Sequence, residues 1–273
     1  MAGTTAPPSS RIDPTIPSIA RAYDAALGGK DNYEVDRAMV DVLVRACPPV
    51  KAIARDNREW LIRVARWMAR DGGIDQFLDC GSGLPTQENT HDVVQRVNPA
   101  ATVVYVDNDP ICQAHGAALL QDNDRTWFVD GDLTDVTGIV EHPTVVDQID
   151  WTRPVGLIQC ATAHHLSDEQ QPGEVIRRWR EVLPSGSYLA LSHFHDPEDG
   201  GELSELCRTL EAGLADLGCG WWRPHSTITQ FFGDFQLLEP GVVRLCDWWP
   251  NGPSTEASTY VDDLIVGGVA RKP

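Results

Sequence analysis

Three short apolar runs of this chain end in an acid at a nearly constant interval. The first, Phe77-Leu78-Asp79-Cys80, breaks at once into Gly81-Ser82-Gly83-Leu84-Pro85-Thr86. The second is Thr102-Val103-Val104-Tyr105-Val106-Asp107, and the third is Thr126-Trp127-Phe128-Val129-Asp130-Gly131-Asp132. From Gly83 to Asp107 is 24 positions and from Asp107 to Asp132 is 25. That interval is the length of a strand–helix–strand unit, so the pattern predicts a parallel sheet with crossover helices. Each acid then falls at or near the carboxyl end of a strand, the edge where open α/β sheets bind their ligands.

The rest of the body continues the pattern. Helices are expected near 88–97 and 110–121, a strand at 155–160, a helix at 172–182 and a strand at 187–193. Helices near 201–216 and 226–232 follow, and strands at 235–239 and 259–269 read as a closing pair. Seven strand candidates interleaved with helices give an α/β, doubly wound, mostly parallel seven-stranded sheet, spanning 74–273. Ahead of it, Val35, Met39, Val42, Leu43 and Cys47 share one helical stripe, and Val50, Ile53, Asn57, Trp60, Leu61, Val64 and Met68 share another. Residues 18–73 are therefore expected to form a helical cap, and the proline-rich residues 1–17 a flexible start.

Charge narrows the partners. The formal net charge of −18 disfavours nucleic acid, whose phosphates the whole field would repel. No run approaches the ~18 apolar residues of a membrane span. The seven cysteines are scattered without a C-x-x-C pair. They read as reduced thiols, and with no apolar leader at the start the expected location is cytoplasmic.

The glycine turn admits close approach of a ligand, and a helix starting just after it would present backbone amides to an anionic group. A dinucleotide fingerprint would require a third glycine or alanine where Thr86 stands, which counts against nicotinamide or flavin. Asp107 is placed to accept from the two hydroxyls of a ribose, while Asp109-Pro110 reads as a helix cap. Asp132 is placed to accept from an adenine amine, or to form a turn. In this order the acids describe an adenosine site without a pyrophosphate.

These motifs, with Leu27-Gly28-Gly29-Lys30-Asp31-Asn32-Tyr33, Asp56-Asn57-Arg58 and Gly186-Ser187-Tyr188-Leu189, resemble a bacterial S-adenosyl methyltransferase family once known as a domain of unknown function. It is a branch of the class I methyltransferases. The resemblance spans roughly residues 12–270. It implies a Rossmann-like fold with S-adenosyl-L-methionine as cofactor. It further implies that Asp79, Gly81, Ser82 and Gly83 lie along the methionine end and that Asp107 holds the ribose, with Asn108 beside it. Asp132 and Leu133 would meet the adenine, and Tyr23, Gly28, Lys30 and Asn32 would close over the cofactor.

Methyl transfer needs positioning more than a dedicated side chain. The candidates for chemistry are His164 and His165, just beyond the fourth strand, and Tyr23 from the cap. His193, His195 and Asp196 lie too close together, without a distant ligand, to imply a metal, and none is expected. The nine tryptophans, Trp221-Trp222 and Trp248-Trp249 among them, suit the wall of a pocket for an aromatic or apolar small-molecule acceptor. Two other readings stay open: a non-catalytic binder of the same cofactor, and a nucleotide-dependent oxidoreductase. The acceptor and the oligomeric state are not read from the sequence.

Overall fold

A computed structural model describes residues 12–86, 88–119, 124–248 and 259–273. Residues 1–11 of the expected flexible start, the last two positions of the helix expected over 110–121, and Trp249 lie outside them. The chain opens with helices α1 (Ile19–Leu27), α2 (Glu34–Ala46) and α3 (Lys51–Arg70). The sheet follows as β1 (Gln76–Cys80), α4 (Thr90–Val97), β2 (Thr102–Asp107), α5 (Pro110–Leu119) and β3 (Thr126–Asp130). Next come α6 (Val136–Val140), α7 (Pro143–Gln148), β4 (Gly156–Cys160), α8 (Pro172–Val182), β5 (Tyr188–Asp196) and α9 (Glu202–Leu214). Last are β6 (Arg223–Pro224), α10 (His225–Gln230), β7 (Gln236–Leu237), β8 (Val243–Arg244) and β9 (Ile265–Arg271).

Strand order is β3-β2-β1-β4-β5-β9-β7. The first five are parallel and β9 runs antiparallel to both its neighbours. The seven expected strands form this path, except that the first half of the one expected over 259–269 is a 3-10 helix, Tyr260–Leu264, and β9 starts only at Ile265. Two short additions, β6 beside β5 and β8 beside β9, were too brief to show a period. Order reverses between β1 and β4, which makes the carboxyl ends of β1, β2 and β4 the ligand-binding edge.

Both faces of the sheet are covered, which is why β1 shows no alternation and is buried throughout. On one side α3, α4 and α9 pack against the strands; on the other stand α6, α7, α8 and α10. Trp60, Val64 and Met68 of α3 are wholly buried, each such side chain contributing roughly 1.5–3 kcal/mol of apolar transfer. α3 is thus part of the main core, whereas α1 and α2 share a small cluster of Ala22, Ala25 and Val40. That pair is fastened by a buried ion pair, Arg21 Nε to Asp36 Oδ2 at 2.8 Å. Asp36 also accepts from the backbone N–H of Ser18 and of Tyr33.

Candidate active site

The glycine turn after β1 is braced on its neighbours. Gly81 and Gly83 have φ of 76° and 66°, the left-handed region. A Cβ on Gly81 would fall 2.2 Å from the Thr162 methyl, so glycine here lets the loop after β1 lie against the loop after β4. The Gly81 and Ser82 amides donate to Val106 O, and Gly83 N donates to Asp107 Oδ2 at 2.8 Å. No helix begins directly after the turn, contrary to the condition set by the sequence reading. Pro85 and a capping box of Asn89 with Asp92 defer α4 to Thr90.

Asp107 closes β2. Its second oxygen accepts from Asp109 N at 2.9 Å, and burial pushes its carboxyl above the ordinary range. The Cys112 thiol also bonds to this carboxylate, which as an ion still has acceptor capacity to spare. Asp109 caps α5 through Ile111 N, as its sequence suggests. Asp79 lies deeper, buried in β1. It accepts from Thr90 Oγ1 at 2.6 Å, and burial, partly offset by that bond and by nearby Arg58, pushes it up to about 6. Asp132 is exposed at the rim, where Oδ1 accepts from the Thr134 amide and hydroxyl and Oδ2 meets Asn108 Nδ2 at 3.4 Å. Leu133 is half-buried beside it, its carbonyl taking the Trp179 indole N–H.

The Gly28–Asn32 loop is organised around buried Asp24, which accepts from Asp31 N and Asn32 Nδ2. Gly29 is required there, since a Cβ would fall 1.9 Å from Asp24 Oδ1. Gly28, at φ 78°, ends α1 in the left-handed conformation, and Lys30 is exposed. Two contacts set this region over the β2 edge: Ser18 Oγ to Asp109 Oδ2 at 2.6 Å, and Asp31 within 3.9 Å of His115 on α5. Ile12 and Ala20 pack beside Leu84, Ile111 and Cys112.

Tyr23 is placed elsewhere. Its hydroxyl donates to Ala54 O and accepts from Asn57 Nδ2, both at 3.0 Å. Asn57 Oδ1 in turn accepts from Ser192 Oγ at 2.6 Å, and Ser192 Oγ accepts from Ala161 N at 2.8 Å. One amide therefore ties α1 and α3 to the ends of β4 and β5, and it holds Ala161 at φ 57°. Sequence reasoning placed Asn57 in an apolar stripe without giving it a task. A single polar residue on a buried face was the available signal, because such a group must find partners.

Tyr23, His164 and His165 come together on a cavity of about 110 Å³. α1, α2 and α9 supply aliphatic walls, and Ala161, Phe194 and Trp222 line the sheet end. His164 stacks on Phe194 at 3.5 Å, and Phe194 stacks on Trp222 at 4.3 Å. His164 Nδ1 accepts from Phe194 N, and burial holds the ring far below the usual histidine range. His165 differs: Nδ1 is buried without a partner among the described residues, and burial pushes the ring down to about 4. His193 and His195 lie within β5 rather than beyond it. Each faces a backbone carbonyl through Nδ1, and His193 Nε2 lies 3.2 Å from buried Arg223. Among the described residues no three His, Cys, Asp or Glu side chains gather as metal ligands.

The crevice suits a cationic, sugar-bearing ligand. One buried carboxylate, Asp79, and one half-buried, Asp107, stand beside the glycine turn. The hydroxyls of Ser82 and Thr162, flanking Gly81, are buried without a partner among the described residues. Buried polar groups in a native protein find partners, so these two call for a ligand that supplies them. The strand order and the glycine–acid crevice are those of a class I methyltransferase.

The chain belongs to the S-adenosyl methyltransferase family, which it matches over residues 5–273. It is similar to a methyltransferase candidate from Thermobifida fusca, with 41% identity, TM-score 0.87, and coverage of 94% of this chain and 96% of that one. It is also similar to a DUF574 family protein from Streptomyces avermitilis, with 38% identity, TM-score 0.89, and coverage of 96% and 100%. The mitomycin 7-O-methyltransferase MmcR shares the fold alone, at 14% identity and TM-score 0.51, over 96% of this chain and 74% of that one. Among curated proteins no sequence matches this chain. The protein is an S-adenosylmethionine-dependent methyltransferase. Among the described residues no helix is long and apolar enough to cross a membrane.

Proposed function

We propose that this enzyme methylates a small organic molecule whose apolar body occupies the cavity between the cap and the ends of β4 and β5. The observation that carries the reading is adjacency. Ala161 lines the cavity, and the next residue, Thr162, touches the glycine turn of the donor crevice. An acceptor in the cavity is thus one residue's width from the donor.

Bound S-adenosylmethionine supplies a methyl group activated on a sulfonium. The chain's residues then bind and orient. Asp107 accepts from the ribose hydroxyls with the acceptor positions its amide partners leave. Asp79, Gly81, Ser82 and Gly83 border the cationic methionine end, while Asn108, Asp132 and Leu133 form the adenine rim. Gly28, Lys30 and Asn32 belong to the loop that covers this edge. Holding donor and acceptor in line can supply up to about 7–11 kcal/mol of the barrier reduction. Where the acceptor must lose a proton, His165 receives it at Nδ1, the nitrogen without a partner. His164 Nδ1 is taken by Phe194 N, which leaves the ring proton on Nε2, and the Tyr23 hydroxyl is bonded to Ala54 O and Asn57, so both shape the wall.

The test is a turnover screen over small-molecule acceptors with labelled donor, run beside Leu214→Trp, which fills the cavity. The variant should keep S-adenosylhomocysteine affinity and lose turnover of any acceptor the native enzyme accepts. Undiminished turnover by a folded Leu214→Trp enzyme would overturn the cavity as the acceptor site.

A further inference from the structure

The cavity carries one lysine, and its position is specific. Lys51 is the first residue of α3 and is half-buried. It lines the apolar cavity together with Met39, Val40, Leu43 and Val50. It also lines an outer groove of about 320 Å³ with Glu34, Arg37 and Asp41. The residue therefore stands between the apolar interior and solvent, and among the described residues no hydrogen bond or ion pair engages its amine. At this mouth Lys51 and Arg37 stand against the carboxylates of Glu34 and Asp41, and of these four Lys51 alone also lines the apolar chamber.

We propose that Lys51 holds the carboxylate of an amphipathic organic acid, the acceptor class of this enzyme. The acid's apolar body fills the cavity and its methyl-accepting atom lies at the Ala161–His165 end. The inference rests on the reading of the cavity as the acceptor site. The dimensions follow from the helix. α3 runs from Lys51 at the mouth to Asn57 at the sheet end, and six residues at 1.5 Å rise separate the two by about 9 Å. The carboxylate and the nucleophile of the acceptor are thus separated by a body of about that length. A single cation among aliphatic walls suits one negative charge, and the aliphatic stem of a lysine continues the apolar wall up to its charged head.

The probe is 4-phenylbutyrate against its uncharged amide, titrated calorimetrically into enzyme saturated with S-adenosylhomocysteine. Native enzyme should bind the acid at least tenfold more tightly than the amide, about 1.4 kcal/mol. Lys51→Met should bring the acid down to the level of the amide, with the amide and S-adenosylhomocysteine affinities unchanged. Lys51→Arg should keep most of the preference. Equal binding of acid and amide by the native enzyme, or a preference that survives Lys51→Met, would overturn the role of Lys51 while leaving the cavity as an apolar site. If neither probe binds although S-adenosylhomocysteine does, the cavity reading fails together with it.

Discussion

The crevice proposed for the donor and the cavity proposed for the acceptor meet at Thr162, yet they are built from different materials. The crevice is made of backbone and carboxylates contributed by consecutive strand ends: Gly83 N on Asp107, Asp109 N on the same carboxylate, Thr90 on Asp79. The cavity is made of side chains drawn from α1, α2, α3, α9 and the ends of β4 and β5, joined through one amide, Asn57. The crevice is polar and locally encoded, and the cavity is apolar and assembled from far apart in the chain. The contrast matches the division of labour, since the donor is common to the class while the acceptor is particular to each enzyme. Changes on one side should therefore leave the other largely intact.

The largest effect should come from Asp107→Ala. Two ribose hydroxyls bonded to a carboxylate contribute roughly 1.5–3 kcal/mol each, so the S-adenosylhomocysteine dissociation constant should rise on the order of 10³-fold. Calorimetry checks it. The melting temperature should fall as well, because Gly83 and Asp109 lose their acceptor. A lower melting temperature with unchanged affinity would reduce Asp107 to a brace of the turn.

Asn57→Leu tests the other side. It takes away the Ser192 hydroxyl's oxygen acceptor, leaving it the weak acceptor Cys160 Sγ at 3.5 Å, and severs the link to Tyr23. An unsatisfied buried group costs about 1–3 kcal/mol, and denaturant unfolding should report a loss within that range. Hydrogen exchange across residues 19–27 should quicken while S-adenosylhomocysteine affinity changes little. A loss of donor affinity as large as that of Asp107→Ala would abolish the distinction between the two sites.

Within the cavity the histidines should separate. His165→Gln should lower kcat by roughly thirtyfold for an acceptor that must lose a proton, below the usual 10²–10⁴ for a general base because a nitrogen of pKa about 4 is a weak one. The acidic limb of the rate profile should lie near 4 rather than at the ordinary 6.5. His164→Gln should act on stability, since that ring is held by Phe194 N, by the stacked Phe194 ring and by His165 and His193 edge-on. Equal kcat for native enzyme and His165→Gln would leave catalysis to positioning alone.

The same contrast governs what the sequence disclosed. β1, β2 and β3 and their acids were legible because a parallel strand buried on both faces is a continuous apolar run, and its end is marked by the acid itself. β6 and β8, at two residues each, carry no period. The cavity had no local signature: Tyr23, Asn57, His164, Phe194 and Trp222 meet only after the cap folds onto the sheet. Trp222 was singled out for its bulk, whereas Phe194 and Ser192 inside β5 looked like ordinary strand residues. Asn57 stood on the apolar stripe of α3 and fitted its period; its polarity and its place in the Asp56-Asn57-Arg58 motif marked it, but neither showed which elements it bonds across.

The smallest expected effect is a pH dependence confined to the crevice. In the donor-free enzyme Asp79 has its carboxyl raised to about 6, chiefly by burial. A cation bound beside it favours the ionised form, so donor binding should release a proton, and affinity should increase as pH rises through 6. If the bound carboxyl returns to the ordinary value near 4, the dissociation constant should be about tenfold weaker at pH 5 than at pH 7, and level above that. The stability of the donor-free protein should run the opposite way. Between about 4 and 6 the folded state holds the Asp79 proton more tightly than the unfolded chain does, so that contribution diminishes as pH rises. Asp79→Asn should flatten both trends, with Thr90 still able to donate to the amide oxygen. Calorimetry at pH 5, 6 and 7 reads the first trend and denaturant titration the second. An affinity slope that persists in Asp79→Asn would place the titrating group elsewhere and remove the cation from beside β1.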